Sequence, residues 1–202
     1  MELLWQQVMQ QSLAEVLAVI CSLLYVHLAA KQQLWCWPFA LASTALYTWI
    51  FWETSLFFQS VLNAWYLIMA VYGWLNWRKV AKTGKEQVQQ WGVRQNVLLS
   101  LSLLLVSVLA FQVLSFVSPE PIIFLDLAIA IYSAFVTYML AQKVLENWLY
   151  WSVLNSLTAW LCYHQGLLLT ALLFAIYVLF SIKGYINWRN NHQLVYQHSH
   201  QG

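Results

Sequence analysis

Gly73-Trp74-Leu75-Asn76-Trp77-Arg78 closes a long apolar run, and 111 residues later Gly184-Tyr185-Ile186-Asn187-Trp188-Arg189 closes another. Upstream at the same offset, Glu15 pairs with Asp126, Ser22 with Ser133, Trp37 with Trp148, Trp49 with Trp160 and Tyr66 with Tyr177. Identical positions are a minority between Glu15 and Arg78, yet apolar runs and polar breaks align nearly without gaps. The chain reads as an internal duplication, a common plan for membrane carriers, whose binding sites lie between the repeats.

Composition names the solvent. With 62% hydrophobic residues, 8% charged ones and 13 Trp, the chain is too apolar for a water-soluble domain, where charged residues usually make up about 25%. Seven stretches are candidates to cross a bilayer: Ser12 to Ala30, Leu34 to Trp52, Phe57 to Trp77, Val97 to Val117, Ile122 to Ala141, Trp148 to Tyr163, and Gly166 to Trp188. A span takes roughly 17 to 25 residues, so the sixth is short. Met1-Glu2-Leu3-Leu4-Trp5 lacks the basic region of a signal peptide, and the first span is expected to be retained. Cys21, Cys36 and Cys162 lack the paired spacing of a zinc or redox site and read as small buried side chains.

Charge sets an expected orientation. If the first span runs from outside to inside, all nine Lys and Arg fall at or near cytoplasmic ends, from Lys31 to the Arg78, Lys79, Lys82 and Lys85 loop and on to Arg189. The opposite ends hold Glu2, Glu53, Glu120 and His164. This is the positive-inside pattern, with the N-terminus outside and the C-terminus inside. A three-helix unit copied directly behind itself would be inverted, so an unpaired fourth span restores its direction. The expected fold is an all-α integral membrane protein of three plus one plus three helices: residues 12–78 as the first repeat, 97–117 as a linker helix and 122–189 as the second, in one membrane domain of residues 1–202.

Polar side chains inside spans turn toward protein or a watered cavity. Asn155 and Asn63 are the main instances, Ser43, Thr44, Gln59 and Ser60 weaker ones. A helix-to-helix hydrogen bond worth about 0.6 kcal/mol explains Asn155 as well as ligand contact does. Around these amides lie the mid-span aromatics Tyr47, Trp49, Trp52, Trp65, Tyr66, Trp151, Trp160 and Tyr177, able to stack on a flat heterocycle or to attract a cation through the ring face. Trp35, Trp37, Trp74, Trp77, Trp148 and Trp188 fall at span ends, where an interfacial aromatic belt is expected. Glu15 and Asp126 are candidates for a charged mouth or proton carrier, against the plainer reading of carboxylates at helix N-termini. His27 reads as interfacial, and His192, His198 and His200 as a solvated tail. No metal site, cofactor motif or catalytic set stands out, and nothing suggests nucleic acid as a partner.

Leu145-Glu146-Asn147-Trp148-Leu149-Tyr150-Trp151, with Asn155 four residues on, resembles the signature of the PnuC family of bacterial vitamin transporters, as does Tyr72-Gly73-Trp74 followed by Trp77. The resemblance runs from about Glu15 to Trp188. It implies a SWEET-like fold of parallel repeats, a homotrimer in the bacterial inner membrane, and facilitated diffusion of an unphosphorylated vitamin that a cytoplasmic kinase then traps. It also implies Asn155 and Trp151 as substrate contacts; Asn63, Gln59, Tyr47, Trp49, Trp160 and Tyr177 rest on position and chemistry. The family's riboside carriers are understood to have Gln where Asn63 stands and an acidic residue at Leu172. These departures tilt the expected substrate toward thiamine, with nicotinamide riboside as the alternative and riboflavin a further family solute. An enzyme built on Glu15, Asp126 and His27 is the rival from another class.

Overall fold

A computed structural model describes residues 12–53, 57–83, 88–115 and 121–199, apart from the side chains of 57–59, 83, 121–122 and 194–199. Glu2, Lys85, Glu120, His200 and the side chains of Gln59 and His198 therefore lie outside the described residues. Seven helices make up nearly all of the described chain: α1 Leu13–Ala30, α2 Cys36–Glu53, α3 Phe57–Thr83, α4 Val93–Leu114, α5 Pro121–Ala141, α6 Asn147–His164 and α7 Leu168–Ser199. A helix satisfies its own backbone, which lipid requires. Leu13–Ala30, Val93–Leu114, Ile123–Ala141 and Leu168–Gln193 are long and apolar enough to cross a membrane on composition alone. The other three carry Trp, Tyr, Asn, Ser and Thr in place of Leu and Ile.

Helices α1, α2 and α3 pack in sequence, as do α5, α6 and α7. The two groups meet along two seams, α3 against α5 and α1 against α7, while α4 lies on α5. Local structure repeats at the 111-residue offset. Helix α1 ends in a Schellman turn, with Gln33 N–H bonded to Leu28 O (3.0 Å) and Gln32 N–H to Ala29 O (2.9 Å). Helix α5 ends the same way, through Val144 to Met139 (2.9 Å) and Lys143 to Leu140 (3.0 Å). The left-handed residues, Gln32 (φ 56°) and Lys143 (φ 57°), are not glycine, and each accepts a strained conformation to satisfy last-turn carbonyls.

Those turns face a cluster that overturns the aromatic-belt expectation. Trp37, Trp77, Trp148 and Trp188 are buried; of the six span-end indoles only Trp35 and Trp74 are exposed. Trp37 meets Trp77 edge to face at 5.3 Å and Trp148 meets Trp188 likewise at 5.5 Å. Trp77 and Trp188 join the two pairs at 5.9 Å. Each contact adds about 0.5–1.5 kcal/mol beyond area burial. Gly73 and Gly184 make room for it, since their backbones lie against the rings of Trp37 and Trp148. The indole N–H groups of Trp37 and Trp148 find no acceptor among the described residues.

The signature run 145–148 belongs to this packing. Leu145, Glu146, Asn147 and Trp148 are all buried. Gln89 pairs with the turn before α6: its N–H bonds Lys143 O at 2.9 Å and its carbonyl accepts from Leu145 N–H at 2.8 Å. Glu146 Oε2 accepts from Trp91 N–H at 3.0 Å. Residues 89–91 thus strap the α3–α4 connection to the second bundle. Replacing Glu146 by Ala leaves that N–H without its acceptor and is expected to cost about 1–3 kcal/mol. Thermal unfolding in detergent should register the loss, and Glu146→Gln, which keeps an acceptor oxygen, should retain more than half of the stability.

Candidate functional site

Where the two bundles meet, the same pair of side chains faces each seam. Tyr66 of α3 interacts with Ser133 of α5. Tyr177 of α7 interacts with Ser22 of α1. These are the two tyrosines and two serines matched by the repeat. Tyr25 lies within electrostatic range of both Tyr66 and Tyr177, and Tyr47 of Tyr177 and Glu15. All four tyrosines are part-buried, so phenol groups from α1, α2, α3 and α7 converge on one region between the bundles. Its chemistry is that of ring faces and hydroxyls: it can stack on a flat ring, attract a cation and hydrogen-bond to polar oxygens.

Asn155 is brought alongside. Its buried Nδ2 donates to Ser181 Oγ at 3.3 Å, and Ser181 in turn donates to Tyr177 O at 2.8 Å. The amide of α6 is thereby tied to the helix that carries Tyr177. Tyr47 is held by near-parallel stacking on Phe51 at 5.7 Å. Trp151 is part-buried against the Val136, Met139, Val144 and Leu154 cluster, and Asn63 is part-buried on α3.

Trp49 and Trp160, matched at the same offset, are 56% and 53% exposed, and Trp160 packs on His164 at 4.3 Å. Ser43 and Thr44 bond back to Ala40 O within their own helix at 3.2 and 2.7 Å. Ser60 Oγ bonds Thr48 O at 2.9 Å, joining α3 to α2.

Glu15 takes its plainer reading. Its carboxylate accepts from Ser12 N–H at 2.6 Å and its N–H donates to Ser12 Oγ at 3.2 Å, a capping box that starts α1. Asp126 is exposed. His27 is not a free interfacial ring, since it packs edge-on against Phe180 of α7 at 5.8 Å. Among the described residues no three His, Cys, Asp or Glu gather to hold a metal.

The sequence reading named Tyr66 among the mid-span aromatics and missed Tyr25, Ser22 and Ser133 as site residues. A signal for the two serines was present, because Ser22 and Ser133 are an identical pair at the 111-residue offset.

Comparison with known proteins agrees in scale and kind. The family model described as nicotinamide mononucleotide transporter matches residues 12–190. The chain is 22% identical to the nicotinamide riboside transporter PnuC of Escherichia coli (strain K12), and equally to that of Shigella flexneri, over 88% of this chain and 85% of the relative. The crystal structure of the vitamin B3 transporter PnuC superposes with a TM-score of 0.68 at 24% identity, covering 88% of this chain and 80% of that one.

Proposed function

The chain belongs to the nicotinamide mononucleotide transporter family, a family of multi-pass membrane carriers and not of enzymes, and from that premise we propose that its solute is nicotinamide riboside. The tyrosine-lined region between the bundles carries this reading. A pyridinium ring is flat and cationic and suits phenol faces, and the ribose hydroxyls suit the phenol, serine and Asn155 groups around them. A phosphorylated solute calls for Arg or Lys forks. The described Lys and Arg instead gather at one end of the helices, at 31, 78, 79, 82, 94, 143, 183 and 189. The unphosphorylated riboside therefore fits better than the mononucleotide.

The tilt toward thiamine, drawn from Asn63 and Leu172, gains nothing from the comparisons, whose relatives are carriers of the riboside. Leu172 is half exposed.

The remaining features follow as parts of the same proposal. Two parallel three-helix repeats, joined by α4 in a SWEET-like arrangement, rock about an axis near the membrane normal; the matched Schellman turns, tryptophan pairs and tyrosine–serine pairs support that symmetry. The basic end faces the cytoplasm, the N-terminus lies outside, transport is facilitated diffusion trapped by a cytoplasmic kinase, and the protein assembles as a homotrimer.

Uptake by proteoliposomes tests the reading. Labelled nicotinamide riboside is expected to equilibrate across the membrane without ATP or an ion gradient, and thiamine and riboflavin in tenfold excess to leave its rate within twofold. Thiamine entering faster than the riboside, or accumulation of the riboside above equilibrium, would sink the assignment or the mechanism respectively.

A further inference from the structure

The two seams occupy equivalent places in the duplicated fold, and their contents differ. Along α3/α5, Trp65 Nε1 donates to Ala134 O at 3.3 Å; at the counterpart of Trp65 on the other seam stands Ile176, which has no such donor. Tyr72 stacks on Tyr138 at 6.1 Å and 16° and accepts a hydrogen bond from Gln142 Nε2. At the three matching positions of α1/α7 stand Lys183, His27 and Lys31. His27 packs edge-on against Phe180 of α7 at 5.8 Å, with Lys31 one turn after His27 and Lys183 one turn after Phe180, so basic side chains flank this seam where the first has a stack and a hydrogen bond.

The tryptophan-lined end shows the same bias. Asn76 Nδ2 and Trp77 Nε1 donate to Ala141 O at 2.9 and 3.1 Å across α3/α5. Their counterparts Asn187 and Trp188 reach Ala30 O and Ala29 O at 3.4 and 3.0 Å across α1/α7. Lys143 Nζ sits 4.8 Å from the Trp77 ring, where the matching turn offers the neutral Gln32. The strap at 89–91, which follows α3, adds hydrogen bonds to the turn between α5 and α6.

We infer that the bundles part at α1/α7 at the tryptophan-lined end, with α3/α5 acting as the hinge. Like charges repel, more strongly where water is sparse, so Lys31 and Lys183, both exposed beside this seam, bias it toward opening. The hydrogen bonds from Asn187 and Trp188 and the indole packing close it. An opening of this kind rests on the transport reading for its purpose and on the seam contacts for its direction.

Charge reversal separates the two. In a Cys21→Ala/Cys162→Ala background, Lys31→Glu turns the repulsion into attraction, and Lys31→Glu/Lys183→Glu restores repulsion with the opposite sign. Two rates are read: uptake of nicotinamide riboside, and reaction of N-ethylmaleimide with Cys36, which is fully buried in the same core. The single reversal is expected to lower both at least threefold and the double to bring both within twofold of the parent, a recovery that also shows the fold intact. Unchanged rates in the single variant, or a double variant as slow as the single, would overturn the inference. If the parent takes up no riboside, the transport reading fails while the Cys36 rates still decide the seam.

Discussion

Gly73→Ala and Gly184→Ala are expected to unfold the tryptophan-lined end or prevent its assembly. A Cβ at Gly73 would stand 2.2–2.5 Å from three ring carbons of Trp37, and one at Gly184 2.6–2.7 Å from Trp148. Both targets are fully enclosed indoles, which cannot swing aside as a flexible chain end would. Alanine gains roughly 0.8–1.0 kcal/mol of helix propensity over glycine. Overpacking of a filled core costs about 1–3 kcal/mol or more, and clashes this short place both variants at or beyond the upper end. Gly92, which begins α4 with open space around it, supplies the control. Thermal unfolding in detergent should show Gly92→Ala close to the parent and both other variants markedly lower or absent from the monodisperse fraction. A Gly73→Ala protein as stable as the parent would refute the packing described here.

Asn155→Ala is expected to reduce riboside uptake at least tenfold, the equivalent of about 1.4 kcal/mol of binding or barrier. The amide is buried, and its link through Ser181 to the backbone at Tyr177 fixes where it points. Ser181→Ala removes that link and keeps the amide, so its loss should be smaller, about threefold. Unfolding midpoints separate solute contact from structure: a helix-to-helix hydrogen bond in a membrane is worth about 0.6 kcal/mol on average. Equal losses in both variants, tracking equal drops in stability, would make Asn155 a structural residue.

Much of the architecture was legible in the residues. The Gly-x-x-Asn-Trp-Arg repeat, the apolar runs and the polar breaks locate seven helices, and the observed elements depart mainly at their ends. Helix α4 begins at Val93, and α3 and α7 run on to Thr83 and Ser199, because a helix continues past an apolar span wherever its backbone pattern allows. Inward and outward faces were not legible. In a soluble helix an apolar stripe marks the core, but lipid is as apolar as the interior, and the stripe vanishes. Hence Trp37, Trp77, Trp148 and Trp188 read as anchors and form the core. Asn155 was found because a buried amide needs a partner in either solvent. The tyrosine–serine pairs needed the seams, which only the packing of α3 on α5 and α7 on α1 defines.

Trp77 and Trp188 stand 111 residues apart, at matching places in the Gly-x-x-Asn-Trp-Arg strings, and touch each other. A residue in contact with its own counterpart is the mark of an isologous interface, the kind that joins identical subunits about a twofold axis. On the proposed duplication, that contact, enclosed within one chain, binds the histories of the two copies: a substitution in one must be accommodated by the same residue in the other. Most positions have only themselves and dissimilar neighbours to satisfy, and there the repeats have drifted apart. At the axis each copy is the other's environment, which gives a physical reason for Gly-x-x-Asn-Trp-Arg still being written twice.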